Sequence, residues 1–206
     1  MSFVVHIVDD EAPVRKSLAF MLTSSGYTVR VFESAADFLV VAKDITNGCP
    51  VTDLRMPDMN GVELLRALRA ADAMLPAIVV TGHGDVPMAV QAMKAGAIDF
   101  IEKPFEEEVL LEALERAAEQ LNARNIPDDS VFSIRTHLAT LTERERQVLS
   151  GVVAGLPNKT IAYDLQISPR TVEVYRANVM AKMQAKSLPE LVRMALAADF
   201  GEAPFR

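Results

Sequence analysis

The sequence predicts an α/β fold, a doubly wound five-stranded parallel sheet, followed by a smaller all-α domain of four helices. Three observations predict it. Five short apolar runs alternate with five helical patterns over residues 1–122. From residue 138 onward four more helical patterns follow without a strand signal. Charge divides in the same place, with 11 Lys/Arg against 19 Asp/Glu over residues 1–124 and 9 against 7 over residues 136–206. An acidic front and a mildly basic back imply two modules with different partners, joined by a linker at 123–137.

The strands are expected at residues 3–8, 28–32, 49–52, 77–81 and 98–101. Most are short, apolar and β-branched, as suits a parallel sheet buried on both faces. Val14, Leu18, Met21 and Leu22 share one face of the first helix. Ser34 and Asp37 resemble a capping box opening the second, and Val62, Leu65 and Leu68 mark the third. Pro87 suits the start of the fourth helix and Gly96 its stop; Leu110, Leu111, Leu114, Ala118 and Leu121 mark the fifth. Pro50 conflicts with a central strand because it lacks a ladder donor, so the third strand is expected to begin in effect at Pro50 or Val51. In the back half, Thr142-Glu143-Arg144-Glu145 reads as a capping box, Asn158 as an N-cap, Ser168-Pro169 as a helix start and Ser187 as the last cap.

Composition excludes several classes. Half the residues are hydrophobic, enough for ordinary cores, yet no apolar run approaches the ~20 residues of a bilayer span. The first residues do not form a signal peptide, so a cytoplasmic location without membrane attachment is expected. The lone Cys49 has no internal disulfide partner and reads as a small buried hydrophobe. His6 and His83 read as structural, as do Asp37 and Asp58. No Ser-His-Asp order, paired-His metal motif or phosphate-cradling Gly-Lys loop is present.

In a doubly wound sheet ligands sit at the carboxyl ends of the strands. Asp9, Asp10, Asp53, Thr81 and Lys103 all fall there. Clustered carboxylates repel unless a cation intervenes, and oxygen ligands suit Mg²⁺ (or Mn²⁺). Asp10 and Asp53 would supply direct oxygens, with Asp9 acting through water. A carboxylate can also capture a phosphoryl group as an aspartyl phosphate, while the Lys103 ammonium and Thr81 hydroxyl meet its oxygens.

Val8-Asp9-Asp10, Val51-Thr52-Asp53-Leu54-Arg55-Met56-Pro57, Thr81-Gly82-His83-Gly84 and Lys103-Pro104 occur in order and together resemble the receiver domain of two-component response regulators, a flavodoxin- or CheY-like fold. The resemblance implies that Asp53 accepts phosphate from a sensor histidine kinase. It implies a metal site at Asp9, Asp10 and Asp53 with the backbone carbonyl of Arg55, a switch at Thr81 and Phe100, and a cis Lys103-Pro104 bond. It also implies a dimer face that includes Val90, Lys94 and Ile101, used when the chain is phosphorylated.

The back half, through residues 141–149, 158–162 and 167–172, is similar to the LuxR-type helix-turn-helix domain. That similarity implies a recognition helix from Pro169, with Arg170, Glu173, Val174 and Tyr175 at base edges. Lys159, Thr171, Arg176 and Lys182 would sit at phosphates or neighbouring positions. Val172, Val179 and Met183 read as core, and helix 188–198 as a second dimer contact. Together the modules resemble the regulators of rhizobial nitrogen fixation. This implies a haem-based oxygen-sensing kinase, promoter DNA and RNA polymerase as partners, and activation of nitrogen-fixation genes under low oxygen. The expected domains are a receiver at 1–122 and a DNA-binding domain at 138–206.

Two other classes compete. One is an interaction protein whose acidic pocket does not accept phosphate. The other is a metal-dependent phosphatase acting on a separate substrate. A haloacid-dehalogenase-type phosphatase expects a second acid two residues after its nucleophile, where this chain has Arg55. The expectation is therefore a non-enzyme that shows only slow self-dephosphorylation.

Overall fold

The computed structural model describes residues 3–82, 85–122 and 128–200, with the side chains of 122 and 128–131 excepted. His83, Gly84 and residues 123–127, part of the expected linker, lie outside the described residues. The chain forms two compact units.

The first is a five-stranded parallel sheet in the order β2-β1-β3-β4-β5. The strands are β1 (Val4–Val8), β2 (Thr28–Phe32), β3 (Gly48–Asp53), β4 (Ala77–Thr81) and β5 (Ala97–Glu102). Each is followed by one helix: α1 (Ala12–Ser24), α2 (Ala35–Ala42), α3 (Gly61–Ala70), α4 (Val86–Ala95) and α5 (Glu107–Asn122). Val5, Ile7, Val51, Ile78 and Val80 pack with Leu18 and Leu22 of α1 and Leu110 and Leu114 of α5. Val8 packs on the opposite face with Phe38 of α2 and Leu64 and Leu68 of α3. Burial on both faces is why these strands read as unbroken apolar runs. The exception is β2, one of the two edge strands, with a mostly exposed or half-buried pattern.

Pro50 is accommodated by pairing geometry. The β3 strand begins at Gly48, earlier than expected, and pairs with β1 from there. Its ladder to β4 starts only at Val51. At Pro50 the strand is thus laddered on one side only, where a missing donor is tolerated. At Ser34 the side chain accepts from the Asp37 N–H, as a cap should. Asp37, however, accepts from the Ser34 hydroxyl instead of closing the box on the Ser34 backbone.

The second unit takes in residues 85–94, most of α4, together with α6 (Asp128–Ala139), α7 (Glu143–Val153), α8 (Asn158–Leu165), α9 (Pro169–Met183) and α10 (Leu188–Ala197). The helix α6 stands where the sequence reads as linker, one helix more than the four expected. Its apolar spacing is sparse, and it is held by Ile134 and Leu138 packing into a core of Leu141, Leu149, Val179, Met183 and Leu191. Tertiary burial supplies what local periodicity does not. Thr142 and Glu145 form the capping box that opens α7, and Ser168 and Ser187 cap α9 and α10. Pro157, not Asn158, occupies the N-cap of α8. Among the described residues no helix is long and apolar enough to cross a membrane.

Candidate functional site

Parallel strands in register deliver their C-terminal residues to one edge. Val8 lies beside Thr52, Asp53 beside Val80, and Thr81 beside Glu102. Asp9, Asp53, Thr81 and Lys103 follow from that register. The Lys103 backbone N–H donates to the Thr81 carbonyl at 2.8 Å, which ties the last two together. The Lys103-Pro104 peptide is cis, as the receiver resemblance implied.

The Lys103 ammonium bridges two carboxylates, at 3.2 Å from Asp9 Oδ2 and 3.2 Å from Asp53 Oδ1. The second oxygen of each is also held: Asp9 Oδ1 accepts from the Glu11 N–H at 2.8 Å, and Asp53 Oδ2 from the Arg55 N–H at 2.5 Å. Asp9 and Thr81 are buried, Asp53 is half-buried and Asp10 is exposed. Burial raises the Asp53 pKa above the ordinary carboxylate value; the Arg55 N–H and the Lys103 ammonium pull against the rise, and nearby Asp9 adds to it. Asp53 is therefore a desolvated carboxylate beside an ammonium, a group able to act as a nucleophile.

The three-carboxylate cluster expected from the sequence is looser in the structure. Asp9 and Asp53 meet through Lys103, and among the described residues no group of three or more His, Cys, Asp or Glu stands close enough to enclose a metal ion. An exposed Asp10 and a half-buried Asp53 still suit a hard cation that keeps most of its water and takes only one or two carboxylates. The other receiver positions are dispersed. Phe100 is half-buried on β5, Val90 and Ile101 are buried, and Lys94 is exposed on α4.

Two residues near the site escaped the sequence reading. Arg15, buried in α1, donates to the carbonyls of Asp9 and Asp10. A cation in the first turn of a helix opposes the macrodipole, and that mismatch was the available signal. Gly61 begins α3 against the C-terminal end of β3. A Cβ there would lie 2.5 Å from the Asp53 carbonyl oxygen and 3.2 Å from the Leu54 Cα. Its signal was a glycine at the first position of a helix, where a better helix former is expected. Gly61→Ala should cost about 1–3 kcal/mol through overpacking against backbone that has little room to move. Urea unfolding would show it as a lower midpoint with an unchanged slope.

In the helical unit, Gln166 adopts φ 56° at the end of α8, and Ser168 then caps α9, accepting from the Thr171 N–H at 3.1 Å. The result is a tight helix-turn-helix. Val172, Val179 and Met183 are buried, which leaves Arg170, Glu173, Val174 and also Asn178 exposed along the other side of α9. Asn178 is an addition to the residues expected there. Lys159 is exposed on α8. Tyr175 and Thr171 are half-buried, and the Thr171 hydroxyl pairs with that of Ser168 at 2.8 Å. Arg176 donates to Asn158 Oδ1 at 3.0 Å, which binds α9 to α8 and occupies the side chain expected as a cap. Lys182, expected at phosphates, instead pairs with buried Glu145 at 2.7 Å and also donates to the Thr140 carbonyl at 3.3 Å.

Comparison with known proteins agrees with both halves. The response regulator receiver domain family matches residues 5–115, and the family of bacterial regulatory proteins of the luxR type matches residues 139–195. The transcriptional regulatory protein FixJ of Rhizobium meliloti is 69% identical over 97% of this chain and 98% of its own length. FixJ of Bradyrhizobium diazoefficiens is 48% identical over 94% of this chain and 95% of its own. Among solved structures, full-length FixJ from B. japonicum superposes with a TM-score of 0.57 at 48% identity, covering 95% of this chain and 97% of that one. The strand-end carboxylates, the helix-turn-helix and this end-to-end similarity together place the chain among the FixJ-like two-component response regulators, transcription regulators with a receiver and a LuxR-type DNA-binding domain.

Proposed function

We propose that this chain is a phosphorylation-switched transcription activator whose phosphoacceptor is Asp53. The observation that carries the reading is the Lys103 ammonium, held 3.2 Å from both Asp9 and Asp53 at the sheet edge. An Asp53 carboxylate oxygen attacks the phosphorus of a phosphohistidine, the bond from phosphorus to imidazole breaks, and an aspartyl phosphate remains. Lys103 pairs with the transferred oxygens, and the Thr81 hydroxyl meets one of them. Asp10 and Asp53, with Asp9 through water and the Arg55 carbonyl, would hold Mg²⁺ or Mn²⁺, which supplies charge neutralisation for the phosphoryl group. Phosphate returns to water by slow self-dephosphorylation, without turnover of a separate substrate.

The phosphoryl group draws Thr81 towards it, Phe100 turns inward, and the face that carries exposed Lys94 rearranges, uncovering Val90 and Ile101, which are buried beforehand, to become the homodimer contact. Moving such an equilibrium from 1:99 to 99:1 takes ~5.5 kcal/mol of differential stabilisation. The dimer then binds promoter DNA through the exposed side of α9 and recruits RNA polymerase. Similarity to FixJ proteins supports a cytoplasmic regulator of nitrogen-fixation genes under low oxygen, with a haem-based oxygen sensor of the FixL kind as its kinase.

The deciding experiment measures oligomeric state and affinity for a nitrogen-fixation promoter fragment, with and without acetyl phosphate and Mg²⁺. Phosphodonor should produce dimer and tighten binding together; monomer throughout, with constant affinity, refutes the reading. Within α9, Arg170→Ala should lose about 1–3 kcal/mol of specific-site binding if its guanidinium reads a base edge. Unchanged affinity in a gel-shift titration removes Arg170 from the interface.

A further inference from the structure

We propose that Arg15 is a positioning residue for the divalent cation: its guanidinium sets the main chain of the acidic pair so that the Asp10 carboxylate is presented to the metal. The inference rests on the reading above that Asp10 and Asp53 hold Mg²⁺, and it concerns a residue that reading does not use.

The geometry is specific. Arg15 Nη1 donates to the Asp9 carbonyl at 2.7 Å and to the Asp10 carbonyl at 2.9 Å. Those two carbonyls belong to the peptide planes on either side of the Asp10 Cα. Holding both planes sets φ and ψ at Asp10, and with them the direction of its Cα–Cβ bond. Asp9 needs no such help, because Glu11 N–H and Lys103 Nζ already grip its two carboxylate oxygens. The Asp10 carboxylate is exposed, so its placement depends on the backbone beneath it.

The side chain is itself constrained. It is 10% exposed, and Nη2 donates to Glu33 Oε1 at 2.9 Å. A planar fork with fixed donors can serve two carbonyls and a carboxylate at once; a lysine ammonium on a flexible stem does not hold that geometry. The buried cation also sits in the first turn of α1, where the helix dipole disfavours it. A purely helical role would favour an acid or a neutral residue there. Orienting residues behind metal ligands typically change affinity by roughly 10–100-fold when lost.

The test titrates the unphosphorylated full-length chain with Mg²⁺ alone. Backbone amide NMR shifts give the dissociation constant, and thermal midpoints without metal monitor folding. Arg15→Lys and Arg15→Met should weaken Mg²⁺ binding roughly tenfold, while Glu33→Gln, which removes only the exposed ion pair, should stay within about twofold. If Arg15→Met does not fold, Arg15→Lys decides. A folded Arg15→Lys with wild-type affinity overturns the proposal. So does a loss of affinity shared equally by Glu33→Gln, which would mark a general loosening of the strand end. Absence of saturable Mg²⁺ shifts in the wild type is a separate failure, that of the cation site itself.

Discussion

Asp53→Asn is expected to yield no detectable phosphoprotein with acetyl phosphate and Mg²⁺, a loss of at least about 10³-fold in rate. The amide matches the carboxylate in size and can still accept from Lys103, yet its oxygen is not a nucleophile. Folding should survive the change. Burial raises the Asp53 pKa, so the folded state binds a proton more tightly than the unfolded chain does. The sign follows from linkage: wild-type stability falls as pH rises from the ordinary carboxylate value through the raised one. The neutral amide lacks that loss but gives up one of the two accepted bonds, from Lys103 or from the Arg55 N–H, so at neutral pH the two effects oppose and the variant should stay folded within about 1 kcal/mol of the wild type. Phosphate-affinity electrophoresis and a thermal scan read both expectations. A shifted band in Asp53→Asn would move the phosphoacceptor elsewhere. An intact band combined with phosphodonor-dependent DNA binding would discard the proposed switch altogether.

The second large effect lies at Lys182. Its ammonium meets Glu145, whose side chain is 5% exposed, while Lys182 itself remains 36% exposed. Lys182→Met removes the countercharge of a buried carboxylate and leaves it only the Thr142 N–H and hydroxyl as donors. Breaking a fully buried pair costs roughly 3–5 kcal/mol; partial exposure of Lys182 reduces the expectation to ~2 kcal/mol. For a helical unit of this size that is a fall of roughly 10 °C in its melting midpoint. The Lys182 hydrogen bond, followed by those from Thr142, lowers the Glu145 pKa, with burial opposing them. This pair therefore contributes stability that is present above the ordinary carboxylate value and lost as pH falls through the lowered one. The variant should show a weaker acid-side loss than the wild type. A phosphate contact predicts something different: unchanged stability, and a salt slope of DNA binding reduced by about one ion. Melting curves against pH, together with binding across salt concentrations, separate the two.

Much of the receiver was legible because its chemistry is local to strand ends. Asp9, Asp53, Thr81 and Lys103 each close or follow an apolar run, and parallel pairing brings such ends to one edge whatever the intervening helices are. The caps at Thr142, Ser168 and Ser187 were legible for the same reason, since a cap acts within three residues. What escaped depended on contacts far along the chain. Glu145 and Lys182 are 37 residues apart, Asn158 and Arg176 18 apart, and neither pair leaves a spacing signature. The helix α6 escaped because its apolar residues are few and are buried by other helices.

Taken alone, the residues determined which modules the chain contains, where the strands run and that carboxylates and a lysine share one sheet edge, because periodicity and strand-end placement follow from the backbone itself. Only the tertiary structure decided how each polar side chain is used. Arg15 is turned to the acidic pair's carbonyls, Gly61 is pressed against Asp53, and Lys182 is drawn from the expected DNA surface into a pair with Glu145. The reason is physical: a buried charge or carbonyl needs a partner, and three-dimensional packing determines which residue is near enough to be one.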